Sequence, residues 1–254
     1  MRLFCLLYFL VEGLLFAKSL PPNILDIGPE VYYIRRQRDG GTKQVARMDG
    51  LLIDYDRLRR YSWYVGGTFS YSQGRLKGHS GSQSEILSTL TDKVWEGRFG
   101  YNFQRRGEKG YFVCPYGGYG YFDEINDFHP PTPIPFKFKN SFNFISAGFL
   151  SGVNLSSVVT MWIDVKMKFM LNGKTKVSND PVMGDATLLM NNEVLARISV
   201  PLIFSPPCVR MGLEFVVDPF YEFRHYGGRE GFPFDYIDTK YNLYGANFAL
   251  RKRY

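Results

Sequence analysis

Apolar and polar residues alternate one by one in many segments of this 254-residue chain, and this alternation restricts the fold more than any other feature. In YSWYVGGTFSYS, residues 61–72, the odd positions from Trp63 to Tyr71 are mainly large and apolar, whereas the even positions are mainly Ser, Thr and Gly. Residues 94–103, 160–169 and 209–218 repeat the pattern with charged residues on the polar side. A period of two indicates β-strands with one apolar face. The sequence therefore predicts an all-β protein.

About ten strands are expected, and one short segment, Ser84–Asp92, could form a helix. No segment after residue 19 has the eighteen consecutive apolar residues of a membrane-spanning helix. Pro115, Pro201 and Pro219 lie inside proposed strands, where proline removes a backbone donor, so bulges or strand ends are expected at these positions. The predicted strands cover residues 29–37, 43–55, 61–75, 91–103, 109–122, 140–153, 157–171, 193–204, 208–224 and 240–254.

The links between these strands alternate in length. The even-numbered links are short, and the odd-numbered links after the first are long and polar, for example Gly74–Thr89 and Asp123–Lys139. The first link contains Gly40-Gly41, which is typical of a tight hairpin turn. Long loops at one end and tight turns at the other are typical of outer-membrane barrels, in which closure of the ring leaves no unpaired strand edge in hydrocarbon. We therefore predict a closed antiparallel transmembrane β-barrel of about ten strands, with eight or twelve as the alternatives.

The first nineteen residues have the features of a secretory signal peptide. An early Arg2 precedes an apolar run from Leu3 to Ala17, and Ala17-Lys18-Ser19 supplies small residues for cleavage. The predicted organisation is a signal peptide over residues 1–19 and a single barrel domain over residues 20–254.

Together these features resemble those of small bacterial outer-membrane β-barrel proteins. The resemblance covers residues 29–254 and implies an outer-membrane location, with outer-membrane lipids and the barrel-insertion machinery as partners. In that class the last strand resembles an insertion signal, with alternating apolar residues and a terminal aromatic residue. Lys252 departs from that alternation, although its long side chain can reach the lipid head groups. The matching residues are Tyr244, Ala246, Phe248, Leu250 and Tyr254.

If the apolar faces contact lipid, the charged faces fill the lumen. Opposite charges in a narrow lumen are expected to pair and block it, because a buried unpaired charge is costly. The predicted role is then structural, with surface contacts made through long loops. The alternative is a narrow porin-like channel with a preference for anions; a soluble secreted barrel would invert the two faces. The predicted lumen-facing charges are Glu96, Arg98, Asp164, Lys166, Lys168, Arg197, Arg210 and Glu214.

No residue pattern predicts catalysis, a cofactor or a metal site. Three histidines lie in or beside the long links, and a barrel hydrolase built on them is the less favoured alternative; their candidate partners are Ser80, Asp127, Asp218 and Glu222. A disulfide between Cys114 and Cys208 and the oligomeric state stay open. The net charge of +7 is scattered without a nucleic-acid-binding motif, so nucleic acid is not an expected partner. The histidines are His79, His129 and His225.

Overall fold

The computed structural model describes residues 23–104, 111–133, 136–156, 158–181, 184–206, 212–231 and 235–254. The proposed signal peptide lies outside these ranges. The described residues form twelve strands and one antiparallel sheet: β1 (Asn23–Arg38), β2 (Lys43–Arg57), β3 (Ser62–His79), β4 (Glu85–Gln104), β5 (Phe112–His129), β6 (Lys137–Asn154), β7 (Val159–Ser178), β8 (Ala186–Leu189), β9 (Val194–Ser199), β10 (Leu202–Phe204), β11 (Leu213–Tyr226) and β12 (Thr239–Arg253). The described residues contain no helix that is long and apolar enough to cross a membrane.

Three of these strands, β8, β9 and β10, together make one wall strand, which we call the eighth wall strand. All three pair with β7 in a single register, from Val177↔Ala186 to Val159↔Phe204. Backbone hydrogen bonds bridge the gaps, including Met190 N–H to the Gly173 carbonyl at 2.9 Å. The twelve strands therefore form ten wall strands.

The sheet closes on itself. The last strand, β12, pairs with β1 from Ile24↔Arg253 to Arg38↔Thr239, and with β11 along its other edge. The eighth wall strand joins β7 to β11 through β9 and β10. The predicted all-β, closed, antiparallel barrel of ten strands is confirmed.

At one end of the barrel the strands are longer, and the loops between them shorter, than the sequence predicted. We call the end with the β3–β4, β5–β6 and β11–β12 connections the loop end, and the opposite end the turn end. At the loop end β3 continues to His79 and β4 begins at Glu85, so most of the link predicted over Gly74–Thr89 is strand. The possible helix at Ser84–Asp92 is wrong, because from Glu85 onward these residues belong to β4, which pairs with β3 and β5.

The extra strand length lies beyond the membrane. At about 3.4 Å per residue and a tilt of about 40°, the 20-residue β4 rises about 50 Å. An outer-membrane apolar band is only about 25 Å tall. The outward apolar residues of β4 cluster between Trp95 and Phe103, so the excess of about 25 Å lies mainly at the loop end.

The prolines occupy the positions where the ladder is interrupted. Pro201 separates β9 from β10, and Pro219 lies beside that break on β11, where Val200 N–H donates to its carbonyl at 3.0 Å. Pro115 lies within β5, and the β4–β5 pairing is interrupted between Gly100↔Tyr116 and Phe103↔Val113. The strands therefore persist across Pro115 and Pro219, and at Pro201 the eighth wall strand breaks but keeps its register with β7.

The interior has an apolar cluster at each end. The loop-end cluster is the larger and includes Phe122, Phe128, Phe138, Phe142, Phe144, Tyr226, Tyr236 and Tyr241. The turn-end cluster is made of Ile24, Leu58, Tyr64, Phe112, Cys114, Tyr116, Leu150, Trp162, Ile203, Val216 and Ala249. Cys114 is a free, buried thiol. Cys208, with which a disulfide was left open above, lies outside the described residues.

Candidate functional site

Between the two apolar clusters the lumen contains a layer of ion pairs. Glu96 on β4 and Lys166 on β7 meet across the lumen, with 2.5 Å between Oε2 and Nζ. The Ser146 hydroxyl donates to the other carboxylate oxygen of Glu96 at 2.6 Å. Both charged side chains are almost fully buried. The pair therefore closes part of the lumen cross-section.

A second group of charges surrounds Arg98. Its guanidinium lies 2.7 Å from Asp54 and 3.2 Å from Asp56. The Tyr64 hydroxyl donates to the same Asp56 oxygen at 2.6 Å. This group extends from β2 to β4 and reaches down to the turn-end cluster, to which Tyr64 belongs.

A third group is centred on Glu222 of β11, which contacts three cations. Lys168 and Arg197 lie 3.3 Å from its carboxylate, and Arg224 lies 2.9 Å away. Arg224 also contacts Asp92 on β4 at 2.6 Å, which joins opposite walls of the barrel. One buried carboxylate thus fixes cations from three wall strands.

Near the turn end Arg251 and Asp26 join the last strand to the first. Two parallel hydrogen bonds of 2.7 Å connect them, and the guanidinium lies 4.3 Å from the ring centre of Trp162. Arg253 and Glu214 form a further ion pair beside them. Bidentate arginine–carboxylate pairs are among the stronger polar contacts, so they hold the closing strands in register.

The structure places seven of the eight predicted lumen charges on the inside. Glu96, Arg98, Lys166, Lys168 and Glu214 are buried there, and Asp164 and Arg197 are partly buried. Arg210 lies outside the described residues. Sequence reasoning did not identify Glu222 and Arg224 as lumen-facing charges, although both lie an even number of residues from Glu214 in β11 and therefore on the same face. Other charges that it missed include Asp26, Asp54, Asp56, Asp92 and Arg251.

The ion-paired layer leaves a small cavity in the lumen. Its volume is about 100 Å³, which is room for a few water molecules. Nine carboxylates and six cationic side chains line it. This excess of acids opposes the anion preference expected for the porin-like alternative.

The outward surface carries a band of apolar side chains, which we call the apolar belt. Trp63 is 61% exposed, and Trp95, Phe99 and Tyr119 are exposed on the same side of the barrel. The proposed insertion-signal residues Tyr244, Phe248, Leu250 and Tyr254 also point outward. Further belt residues are Ile27, Leu51, Phe103, Ile145, Phe149, Met167, Phe169, Ile198 and Phe215.

The histidines lie at the loop end without a complete catalytic set. His225 lies between two carboxylates, with its Nε2 2.7 Å from Asp238 and its Nδ1 3.4 Å from Glu193. His129 Nε2 lies 3.0 Å from the Thr89 hydroxyl. The candidate partners Asp218 and Glu222 line the lumenal cavity instead. A group that combines nucleophile, base and orienting carboxylate is therefore not formed at either histidine by the described residues.

The contact with His225 changes the acidity of Asp238, which lies outside the membrane-spanning segments. Burial alone would raise the pKa of Asp238, but hydrogen bonds from His225 and the Gly228 amide, with the positive charge of Lys240 nearby, hold it below its ordinary value. Within the described ranges there is no group of three or more His, Cys, Asp or Glu side chains that could bind a metal ion.

Comparison with known proteins supports the fold. No protein-family model matches the chain, and no curated protein sequence matches it. The outer membrane protease OmpT from Escherichia coli has a similar structure, with a TM-score of 0.58 and 9% identity over 93% of this chain and 98% of that chain. The translocator domain of the autotransporter NalP from Neisseria meningitidis gives a TM-score of 0.48 and 8% identity over 100% of this chain and 95% of that chain. OprG from Pseudomonas aeruginosa gives a TM-score of 0.45 and 11% identity over 94% of this chain and 99% of that chain.

The chain therefore has the fold of a bacterial outer-membrane β-barrel, and the predicted resemblance is confirmed at the level of the fold. The predicted outer-membrane location agrees with this fold and with the apolar belt.

Proposed function

We propose that this protein is a non-conducting outer-membrane barrel whose part beyond the membrane serves as a contact surface. The observation that carries the proposal is the filled lumen: apolar clusters occupy both ends and ion pairs occupy the middle. An ion passing through would have to leave water, cross two apolar layers and break buried ion pairs, each at high cost. The lumen then acts as the core of the barrel.

The loop end supports the contact role. Its strands continue well above the apolar belt, and the large aromatic cluster fills their interior as the core of a water-soluble domain would. A rigid wall that projects from the membrane offers side chains in fixed positions to a partner, which lowers the entropy lost on binding.

Electrical recording tests this proposal. The folded protein, whose migration on a gel should differ between unheated and boiled samples, is reconstituted into planar bilayers. We expect no unitary conductance at any applied potential, while a known porin in the same bilayer conducts. Reproducible channels from the folded protein would contradict the proposal and favour the porin-like alternative. Identical migration of heated and unheated samples, together with release from membranes by carbonate, would contradict the membrane location.

We also propose that the outward face of β12 is read by the barrel-insertion machinery. Tyr244, Phe248, Leu250 and Tyr254 lie on one exposed face of the strand that seals the barrel. Deletion of Tyr254 should reduce the amount of heat-modifiable protein in the outer membrane. Lys252→Phe should leave it unchanged or increased. Normal assembly after the deletion would refute the signal.

An absence of enzyme activity stays a prediction. OmpT is a protease, but that activity is not proposed for this chain, because His225 and His129 each lack part of a catalytic set among the described residues. Incubation of the folded protein with peptide and ester substrates tests the point. Hydrolysis that is lost in Asp238→Asn would make the His225 cluster catalytic.

A further inference from the structure

A second cavity opens on the outer wall at the loop end, between β6, β7 and β8. Its volume is about 500 Å³, which is within the range of small-molecule sites. Local irregularities of the wall form it. The β6–β7 register shifts between Ser141 and Asn143, Asn172 on β7 has a φ of 53°, and the eighth wall strand is interrupted after Leu189. We call this cavity the outer-wall pocket.

The side chains of the outer-wall pocket share one chemistry. Lys174 and Arg229 are cationic, and all the lining residues are described and include no carboxylate. Neither cation has an ion-pair partner in the described part of the chain. The remaining polar lining consists of Tyr121, Ser141, Asn143, Asn172, Asn191 and Asn192.

These groups match the requirements of a phosphorylated sugar. Amide and hydroxyl side chains both donate and accept hydrogen bonds, as the hydroxyl groups of a sugar require. Two unpaired cations can form charge-assisted hydrogen bonds with a phosphate group. Leu189, which lines the pocket and is 45% exposed, gives it an apolar surface for the carbon face of the ring. A neutral sugar would leave both cations unused, and an aliphatic ligand would leave the amides unpaired.

The position of the pocket indicates how such a ligand could reach it. Tyr121 pairs with Trp95 on one side and with Asn143 on the other, so the lower edge of the pocket is level with the upper part of the apolar belt. Lys174 lies higher, opposite Ser141. The pocket therefore lies where lipid head groups meet water. A phosphorylated sugar can be presented there as a lipid head group or arrive free from solution.

We propose that the outer-wall pocket binds a phosphorylated saccharide, with Lys174 and Arg229 holding the phosphate and the asparagine side chains holding the sugar hydroxyls. This inference deepens the proposed contact role and rests on it, since it names the ligand class that the loop end contacts.

Binding to the full-length folded protein tests the proposal. The protein is held in a detergent without a sugar head group and titrated with D-glucose 6-phosphate, with D-glucose and with inorganic phosphate, by saturation-transfer NMR. We expect the phosphorylated sugar to bind about tenfold more tightly than either of the other two. Lys174→Gln and Arg229→Gln should each weaken its binding by about tenfold, the loss of one charge-assisted contact. Lys176→Gln is the matched control, because Lys176 is the next outward lysine on β7 and does not line the pocket; it should bind normally.

A second arm identifies the source of the ligand. The protein is placed in nanodiscs that contain either a lipid with a phosphorylated glucosamine head group or phosphatidylglycerol, and retained lipid is measured by native mass spectrometry. Selective retention of the glucosamine lipid, lost in Arg229→Gln, supports a head-group ligand; binding of the free sugar phosphate alone supports a soluble one. Equal binding of inorganic phosphate, unchanged binding in both pocket variants, or no selective binding in either arm would overturn the proposal. These outcomes do not depend on conductance, so they leave the test of the proposed function separate.

Discussion

The buried pair of Glu96 and Lys166 gives the sharpest test of how the lumen is held closed. With 2.5 Å between the charged atoms, the gross Coulomb attraction at an effective dielectric constant of about 20 is roughly 7 kcal/mol. Desolvation offsets most of it, so the pair adds little over an apolar substitute. Removing only one partner leaves the other charge buried without a partner, which lowers the free energy of unfolding by about 3–5 kcal/mol.

Lys166→Met should therefore destabilise the barrel by about 3 kcal/mol. This value is in the lower part of that range because the Ser146 hydroxyl still donates a hydrogen bond to Glu96. The double variant Glu96→Gln/Lys166→Met should recover most of this loss, since no unpaired charge remains. Reversible urea unfolding in lipid vesicles, followed by tryptophan fluorescence, measures the free energy of unfolding. Lys176→Met, an exposed lysine on the same strand, is the control and should change it by less than about 0.5 kcal/mol.

The result that would refute this reasoning is a double variant as unstable as Lys166→Met alone. The loss would then come from the missing lysine side chain and its packing, and the stranded charge would contribute nothing. An unchanged stability in Lys166→Met would also refute it, because water would then be solvating Glu96 inside the lumen.

Three further predictions concern other parts of the molecule. Trp162→Ala should lower the free energy of unfolding by about 3–5 kcal/mol, because Trp162 is buried in the turn-end cluster beneath Arg251. Urea unfolding measures this loss, and a loss under about 1 kcal/mol would contradict close packing of the turn-end cluster. Ala147→Arg within the apolar belt should cost about 2–4 kcal/mol, whereas Thr91→Arg above it should cost less than about 1 kcal/mol; equal costs would contradict the position of the membrane. The lowered pKa of Asp238 stabilises the loop end above its unfolded pKa of about 4, and this contribution is lost as pH falls through the folded pKa. The protection factors of the amides in residues 227–231, which correct for the pH dependence of intrinsic exchange, should therefore fall on acidification. Asp238→Asn should remove this fall, and an identical pH profile in the variant would contradict the contact.

The strands and their outward faces could be predicted because a period of two is visible in a single segment. Trp63 and Phe69 identify the lipid-facing side of β3 without knowledge of any other strand. The loop-end parts of the strands could not be recognised. Outside the membrane their outward residues, such as Arg75 and Lys77, are as polar as those of loops, and Ile86 and Leu87 are adjacent apolar residues that interrupt the alternation.

The partners within the lumen could not be predicted, because they depend on how all ten wall strands are staggered around the ring. Arg224 and Asp92 are 132 positions apart in sequence and meet only after closure. The alternation of inward and outward positions along each strand places these charges inside, and the stagger of the strands decides which charges meet. The outer-wall pocket was missed for a related reason: it arises where the register shifts between Ser141 and Asn143, and no residue type marks that shift.

The interrupted eighth wall strand has a consequence for the mechanics of the barrel. Pro201 and Pro219 lie one residue out of register on neighbouring wall strands, and neither has an N–H that could donate to the adjoining strand. The other neighbouring wall strands are held by longer ladders, such as the eighteen consecutive pairs between β3 and β4. Under mechanical force or heating, the barrel should therefore open first between β7 and β11, where the strand pairing is shortest. The other wall strands should stay paired as one open sheet.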